Sequence, residues 1–424
     1  MRSSAASDVY KRQEGVRDIY NGECARKLMV QNRIHDVLKS YGYNDISTPT
    51  FEFFDVFNKE RGSVASNEMF KFFDRDGNTL VLRPDMTPSI ARTAAKYYGD
   101  SNMTLKLCYI GNTFINNHNY QGRLKETTQI GAELIGDSSI YADAEIISMV
   151  IDSLLSSGLK EFQVEIGQVQ FFRGLLKEAG IDTDTEDELV ELMLNKNFYG
   201  VEELLKSQNL DDSLTDTLLV LPQLFGSVEV LDRARSITSN EEALEAIAYL
   251  EELYGMLAQN GYDKYITFDL GMLSKHKYYT GVIFNGYTYG TGDAVVKGGR
   301  YDKLIGQFGS DKASIGFSLT ADQLMVALER QKIEIPCDRN GVMILHTPSQ
   351  WSRAVKLAAQ LRNAGVSASM LCSRSIDDSE CRTYAESSDI TDIISMTDGE
   401  DVRILNLASG DIKTAAAQDV LKLL

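Results

Sequence analysis

Three stretches of this chain put polar side chains where a folded protein must find partners for them. Leu80-Val81-Leu82-Arg83-Pro84-Asp85-Met86-Thr87 reads as a strand whose end carries a charged pair and runs into a helix start. Strand ends and helix N-termini are where polar ligands bind. In Lys125–Glu133, strand alternation puts Gln129, Gly131 and Glu133 on one face. A glutamine and a glutamate there are costly to bury unless each meets a partner. Tyr278-Tyr279-Thr280-Gly281 and Gly298-Gly299-Arg300-Tyr301-Asp302 add phenols and a guanidinium from later strands. Composition alone leaves a second reading open, a solvated sheet face over an aromatic core.

Metal and covalent chemistry find less support. The four histidines (35, 118, 276, 346) stand apart in sequence from one another and from the five cysteines (24, 108, 337, 372, 381). No C-x-x-C occurs, which argues against a zinc site and a disulfide framework, so no metal ligand is assigned. Neither a G-x-S-x-G elbow nor a G-x-x-x-x-G-K-[ST] loop is present. Gly290-Thr291-Gly292 and Gly298-Gly299 lie in strand context and read as hairpin turns and bulges rather than phosphate cradles.

The elements that must position these residues follow from period and punctuation. Cys24 to Tyr41 keeps a helical period and Gly42 ends it. Asp45–Phe54 is extended around Pro49. Met69–Phe73 and Thr79–Leu82 alternate across an Asp-Gly turn, and Thr87-Pro88 reads as N-cap and first residue of a helix closing at Gly99. Leu105–Ile110 and Gln129–Ile135 are strands, and Tyr141–Ser157 is a helix. From about 174 to 264 the pattern turns helical and acidic. Strands rich in Tyr, Val and Gly return over 265–320, with a helix over Ala321–Gln331. This predicts a helical insertion inside one α+β domain built on an antiparallel sheet. Pro336–Asn340 is the best linker. Beyond it, strands at Val342–His346, Val366–Leu371, Asp392–Met396 and Val402–Leu407 alternate with helices at Trp351–Asn363 and Ile376–Glu386, and a last helix closes the chain. That is a small α/β domain of doubly wound type, without G-x-G-x-x-G after its first strand.

At 424 residues, the chain has room for two to four domains of roughly 100–200 residues each. Forty-three Lys and Arg against 61 Asp and Glu give a net charge of −18, which disfavours general coating of nucleic acid. No apolar run approaches the ~20 residues that span a bilayer, so no membrane partner is expected. Scattered cysteines suit a reducing compartment, hence the cytoplasm. Residues 1–13 have no apolar h-region and read as a disordered or expression-derived leader.

Together these segments resemble the core of histidyl-tRNA synthetase, a class II aminoacyl-tRNA synthetase, from about Glu14 to Leu424 and in the same order. The strings that carry the likeness are LRPDMTPSIAR (82–92), GRLKETTQIGAE (122–133), YYTGVIF (278–284), GGRYDKL (298–304) and ASIGFSLTADQL (313–324). The resemblance implies an α+β fold with a class II synthetase-like six-stranded antiparallel core (14–173 and 265–332), a helical insertion (174–264) and a small anticodon-binding-like α/β C-terminal domain (340–424).

The departures from that pattern are specific. Where the synthetase has Phe-Arg-x-Glu, the arginine on the ATP α-phosphate, this chain has Phe114-Ile115-Asn116-Asn117. The third motif's Glu-Arg is Asp322-Gln323, and Arg-Gly-Leu-Asp is Ser274-Lys275-His276-Lys277. Ile, Gln and Ser lack the charge and donor fork an arginine brings to a phosphate. One such loss costs about 3–4 kcal/mol of transition-state stabilisation, so three remove useful adenylation. The amino-acid side remains. By resemblance, Asp85, Thr87 and Gln129 meet histidine's ammonium, Glu133 and Tyr279 meet its imidazole, and Tyr278 and Met86 belong to the same pocket, the latter in RPDMT where the synthetase usually has RPEGT.

A synthetase-like chain that keeps the histidine pocket and loses the ATP arginines is similar to the ATP phosphoribosyltransferase regulatory subunits. That likeness implies a non-catalytic chain without cofactor. It also implies the short-form ATP phosphoribosyltransferase catalytic subunit as partner in the first step of histidine biosynthesis, L-histidine as feedback ligand, and a homodimer through the first motif, around Pro49, within a hetero-oligomer. tRNA is not an expected partner. Two other readings are an active histidyl-tRNA synthetase and an amino-acid-sensing RNA-binding paralogue. The first requires all three substitutions to be tolerated, and the second sits poorly with the acidic charge. The chain itself does not read as a phosphoribosyltransferase, for want of a strand ending in paired acids before a Thr-Gly phosphate loop.

Overall fold

The computed structural model describes residues 14–57, 64–101, 103–117, 123–208, 212–272, 278–336, 341–372, 381, 383–385 and 390–424. The expected leader, Ser274 and most of the 336–340 linker lie outside these residues. The chain divides into two compact units, Val30–Glu334 with the residues before 18, and Ile335–Leu424 with residues 18–29.

Helix α1 (Asn21–Ser40) buries Val30, Ile34 and Leu38 at helical spacing. Gly42 then takes φ 84°, the left-handed residue that ends such a helix. β1 (Asn44–Asp45) follows, and β2 (Phe51–Phe53), β3 (Lys71–Phe73) and β4 (Thr79–Leu82) form a small sheet of order β2-β4-β3. α2 (Thr87–Tyr98) corrects one expectation: Thr87 is not the N-cap. The helix starts at Thr87, and Met86 occupies the cap position without a side-chain cap. The physical reason is that the Thr87 hydroxyl is committed elsewhere, as a donor to Glu133.

β5 (Leu105–Phe114) and β6 (Glu126–Ile135) are longer than their sequence signals and pair along their whole length. α3 (Ile140–Ser156) is buried on most sides. After β7 (Phe162–Gln168) come helices α4 (Val169–Glu178), α5 (Thr183–Leu194), α6 (Phe198–Ser207) and α7 (Asp212–Val220), short β8 (Phe225–Gly226), and helices α8 (Glu229–Ser236) and α9 (Glu241–Gln259). Two of these starts are set by side-chain caps of 2.9 Å: Asp182 accepts from Thr185 N before α5, and Asn240 from Ala243 N before α9. β9 (Ile266–Asp269), β10 (Val282–Thr288), β11 (Val296–Arg300), β12 (Ser314–Thr320) and α10 (Ala321–Arg330) complete the unit.

The main sheet runs β1-β5-β6-β12-β11-β10-β7-β9-β8. Its six central strands, β5 to β7 in that order, are antiparallel throughout, as the resemblance implied. The sheet is wider than that core because β1 adds in parallel to β5, and β9 in parallel to β7. α2 covers one face through Ile90, Ala91 and Ala94, against Tyr109, Ile283, Leu304 and Ile305.

In the second unit β13 (Gly341–His346), α11 (Trp351–Asn363), β14 (Ser367–Cys372), β15 (Ile390–Met396), β16 (Asp401–Asn406) and β17 (Ile412–Ala416) form a sheet of order β14-β13-β15-β16-β17. The first three strands are parallel and the last two antiparallel. Val342 and Ile344 enter one apolar cluster, Met343 and Leu345 another, so both faces are covered. The helix expected to close the chain is present as a six-residue 3-10 helix, Ala417–Lys422, directly after β17. Pairing with β16 overrides the helix propensity of the alanines in β17. The fold is thus α+β of class II synthetase type, with a small α/β unit at its C-terminal end.

Candidate functional site

Glu133 is the centre of the site. It sits on β6, opposite Gly316 of β12, and is 1% exposed. Thr87, in the first turn of α2, donates its hydroxyl to Glu133 Oε1 at 2.8 Å. Tyr301, the residue after β11, donates its phenol to Glu133 Oε2 at 2.5 Å. A Cβ at Gly316 would overlap the Glu133 carboxylate, so only glycine fits across from it. Burial pushes the Glu133 carboxyl up to about 8; Asp85 pushes the same way, and the two donors oppose.

The other expected residues gather around this carboxyl. Asp85 is buried, accepts from Met86 N at 2.7 Å, and its charge bears on Glu133, Tyr109, Tyr278 and Tyr279. Met86 is in the core beneath Gly111. The Tyr278 and Tyr279 rings lie 4.9 Å apart, and Tyr278 meets Tyr301 edge-on at 6.0 Å. Burial, ahead of neighbouring charges, keeps these phenols protonated. Gln129 sits on β6 between Gly111 and Thr320. Its Oε1 is buried without a hydrogen-bond partner among the described residues. A buried acceptor without a donor is costly, and a ligand N–H would satisfy it.

Two features of this pocket escaped sequence reasoning. Tyr301 stood in a recognised string but was not assigned to the pocket, and Tyr109 was not singled out. Tyr109 is 1% exposed, donates to Phe317 O at 3.4 Å, and lies where a Cβ at Gly131 would meet it. Only the unbroken run Gly298–Tyr301 could have pointed to Tyr301.

The arginines of the motif strings are all engaged by protein groups. Arg83 Nη1 donates to Thr48 O at 2.8 Å and its Nε to Asn112 O at 2.7 Å. Arg92 pairs with Glu52 at 2.7 Å, Arg123 with Asp293 at 3.1 Å, and Arg300 with the fully buried Asp143. The guanidinium that the sequence placed among the candidate ligand groups, that of Arg300, is therefore part of a buried ion pair. In the string expected to carry the second motif, Ile115 N donates to Lys125 O at 2.8 Å. Gln323 Oε1 is buried without a partner among the described residues. Next to it, Asp322 accepts from Thr128 N at 2.7 Å.

The histidyl-tRNA synthetase family profile matches residues 15–324. An ATP phosphoribosyltransferase regulatory subunit of Acetivibrio thermocellus is 38% identical over 409 residues, covering 96% of this chain and 98% of the relative. A Clostridium acetobutylicum protein of the same name is 37% identical over 391 residues, covering 92% and 96%. The chain belongs to the ATP phosphoribosyltransferase regulatory subunit family. Among solved structures, one from Bacillus halodurans, described as an ATP phosphoribosyltransferase regulatory subunit/histidyl-tRNA synthetase, matches with TM-score 0.80 and 31% identity, over 91% of this chain and 98% of that one. A Nostoc histidyl-tRNA synthetase shares the fold, at TM-score 0.81 and 19% identity, over 98% of this chain and 99% of that one. Among the described residues no helix is long and apolar enough to cross a membrane.

Proposed function

We propose that this chain is the non-catalytic, histidine-sensing subunit of an ATP phosphoribosyltransferase, acting in the cytoplasm at the first step of L-histidine biosynthesis. The observation that carries this reading is the contrast within one site: Glu133 held by Thr87 and Tyr301 beside the unpartnered Gln129 Oε1, with Ile115 and Gln323 where phosphate-gripping arginines belong. Histidine's ammonium meets Asp85 and Gln129, and its imidazole meets Glu133 and Tyr279. Thr87 already donates to Glu133, so its part is to aim that carboxylate. Tyr278 and Met86 wall the pocket. Phosphoribosyl transfer resides in a short-form catalytic subunit, and the chain forms a homodimer through its first motif around Pro49 within the hetero-oligomer. tRNA is not a partner. The domain division follows the sequence: a core of 14–173 and 265–332, an insertion of 174–264 and an α/β domain of 340–424.

The test is reconstitution. Mixing this chain with a purified short-form catalytic subunit should shift both in sizing chromatography, change the phosphoribosyl transfer rate and confer inhibition by histidine. A catalytic subunit that is fully active and fully histidine-sensitive alone, and that does not associate, would refute the assignment.

A further inference from the structure

We infer that His35, Asp45 and Cys108 form a binding site for one divalent transition-metal ion of the zinc class, separate from the amino-acid pocket. Sequence spacing argued against such a site, since these residues belong to three different elements. The fold brings them together. His35 and Lys39 lie one turn apart near the end of α1, and β1 pairs in parallel with β5 so that Asp45 stands opposite Cys108. Adjacent backbone is tied down by Ile46 N donating to Cys108 O at 2.9 Å.

The donor set is an imidazole nitrogen, a carboxylate oxygen and a thiol sulfur, all within 4.8 Å of one another. His35 Nε2 is 2.5 Å from Asp45 Oδ1, and Cys108 Sγ is 3.6 Å from the same oxygen. Tetrahedral zinc, with bonds of about 2.0–2.3 Å, sets its ligand atoms about 3.3–3.6 Å apart. The sulfur–oxygen spacing already fits. The nitrogen–oxygen spacing must open by about 1 Å, which side-chain rotation supplies.

Lys39 completes the site from outside. Its Nζ is 3.0 Å from Asp45 Oδ2, the oxygen that faces neither His35 nor Cys108. Such a partner orients a ligating carboxylate while leaving its other oxygen for the ion. Cys108 is buried, whereas the Asp45 side chain is 59% exposed in the single chain. Binding exchanges the thiol proton for the metal and moves the imidazole proton to Nδ1, with one proton released to solvent. The carboxylate and thiolate then balance the ion's charge. Cys108 points to the sheet face opposite its neighbour Tyr109, so the ion would sit behind the strand that walls the amino-acid pocket.

The test titrates cobalt(II) alone, then zinc(II) alone, into the full chain with its tag removed and a non-coordinating reductant present. A thiolate-to-cobalt charge-transfer band in the near ultraviolet should saturate at one ion per chain and collapse when zinc is added. Cys108→Ser should abolish the band, and His35→Ala should weaken zinc binding by about tenfold or more. Cys372→Ser, at an exposed thiol, should leave both unchanged. If Cys108→Ser fails to fold, His35→Ala decides alone. No band, a band that survives Cys108→Ser, or zinc affinity unchanged in His35→Ala overturns the site.

Discussion

Around Glu133, the hydroxyls of Thr87 at a helix start and Tyr301 after β11 hold the buried carboxyl, while the buried Gln129 Oε1 has no partner among the described residues. Around Ile115 and Gln323 the side chains are an aliphatic and an amide, where the proposed reading expects phosphate-gripping arginines. A buried carboxyl with two hydroxyl donors is a costly arrangement for a protein with no use for it, because replacing such a set by apolar groups is neutral or stabilising. On the proposed reading, its presence without those arginines separates binding from chemistry in this fold, and leaves the amino-acid half to serve as a sensor.

The comparison breaks most sharply at Gly316. Gly316→Ala pushes a methyl into the Glu133 carboxylate and the Ala132 backbone, so histidine binding should fall by about a hundredfold and stability by about 1–3 kcal/mol. Calorimetric titration and thermal melts read the two effects. Gln129→Ala removes the unpartnered acceptor. Histidine affinity should drop about 5- to 150-fold while the ligand-free protein loses little stability, since the Oε1 has no hydrogen-bond partner among the described residues. An unchanged affinity would make the orphaned oxygen a packing accident.

The pH dependence is a finer probe. The Glu133 carboxyl is raised to about 8, so the ligand-free protein holds a proton that the unfolded chain releases near 4.5. Its stability from this group therefore falls as pH rises from about 4.5 toward 8 and levels above. Histidine binds the ionised carboxylate, so affinity should rise about fivefold between pH 7 and 8, with proton release visible across buffers of different ionisation enthalpy. The smallest effect belongs to the other half. Ile115→Arg with Gln323→Arg should leave histidine-driven ATP–pyrophosphate exchange at background, because the third arginine is still absent. Exchange above background would show that the nucleotide half was only two substitutions from working.

Much of this was legible in sequence. The strings running from Leu82 to Leu324 fix the order of the sheet and bring Asp85, Thr87, Glu133, Tyr278 and Tyr279 to one place. What was not legible has a common cause, side chains whose partners are far off in sequence. Thr87 looks like an N-cap because Thr-Pro is the local signal for one, yet Glu133 takes its hydroxyl. Arg300 looks like a ligand group, yet Asp143 takes its charge. Alanines before the C-terminus favour a helix locally, yet β16 offers a sheet edge. His35 and Cys108 look isolated until β1 joins β5.

The central claim is that the pocket around Glu133 senses histidine on behalf of a partner, and Glu133→Gln tests it most directly. The amide keeps the size of the side chain, can still accept from Thr87 or Tyr301, and cannot become an anion. The variant should fold and associate with the short-form catalytic subunit as the parent does. Its calorimetric affinity for histidine should fall by about tenfold or more, and the histidine concentration that half-inhibits the reconstituted complex should rise by the same factor, because coupling between sites is reciprocal. Unchanged inhibition alongside unchanged binding would place the feedback site outside this pocket and contradict the account.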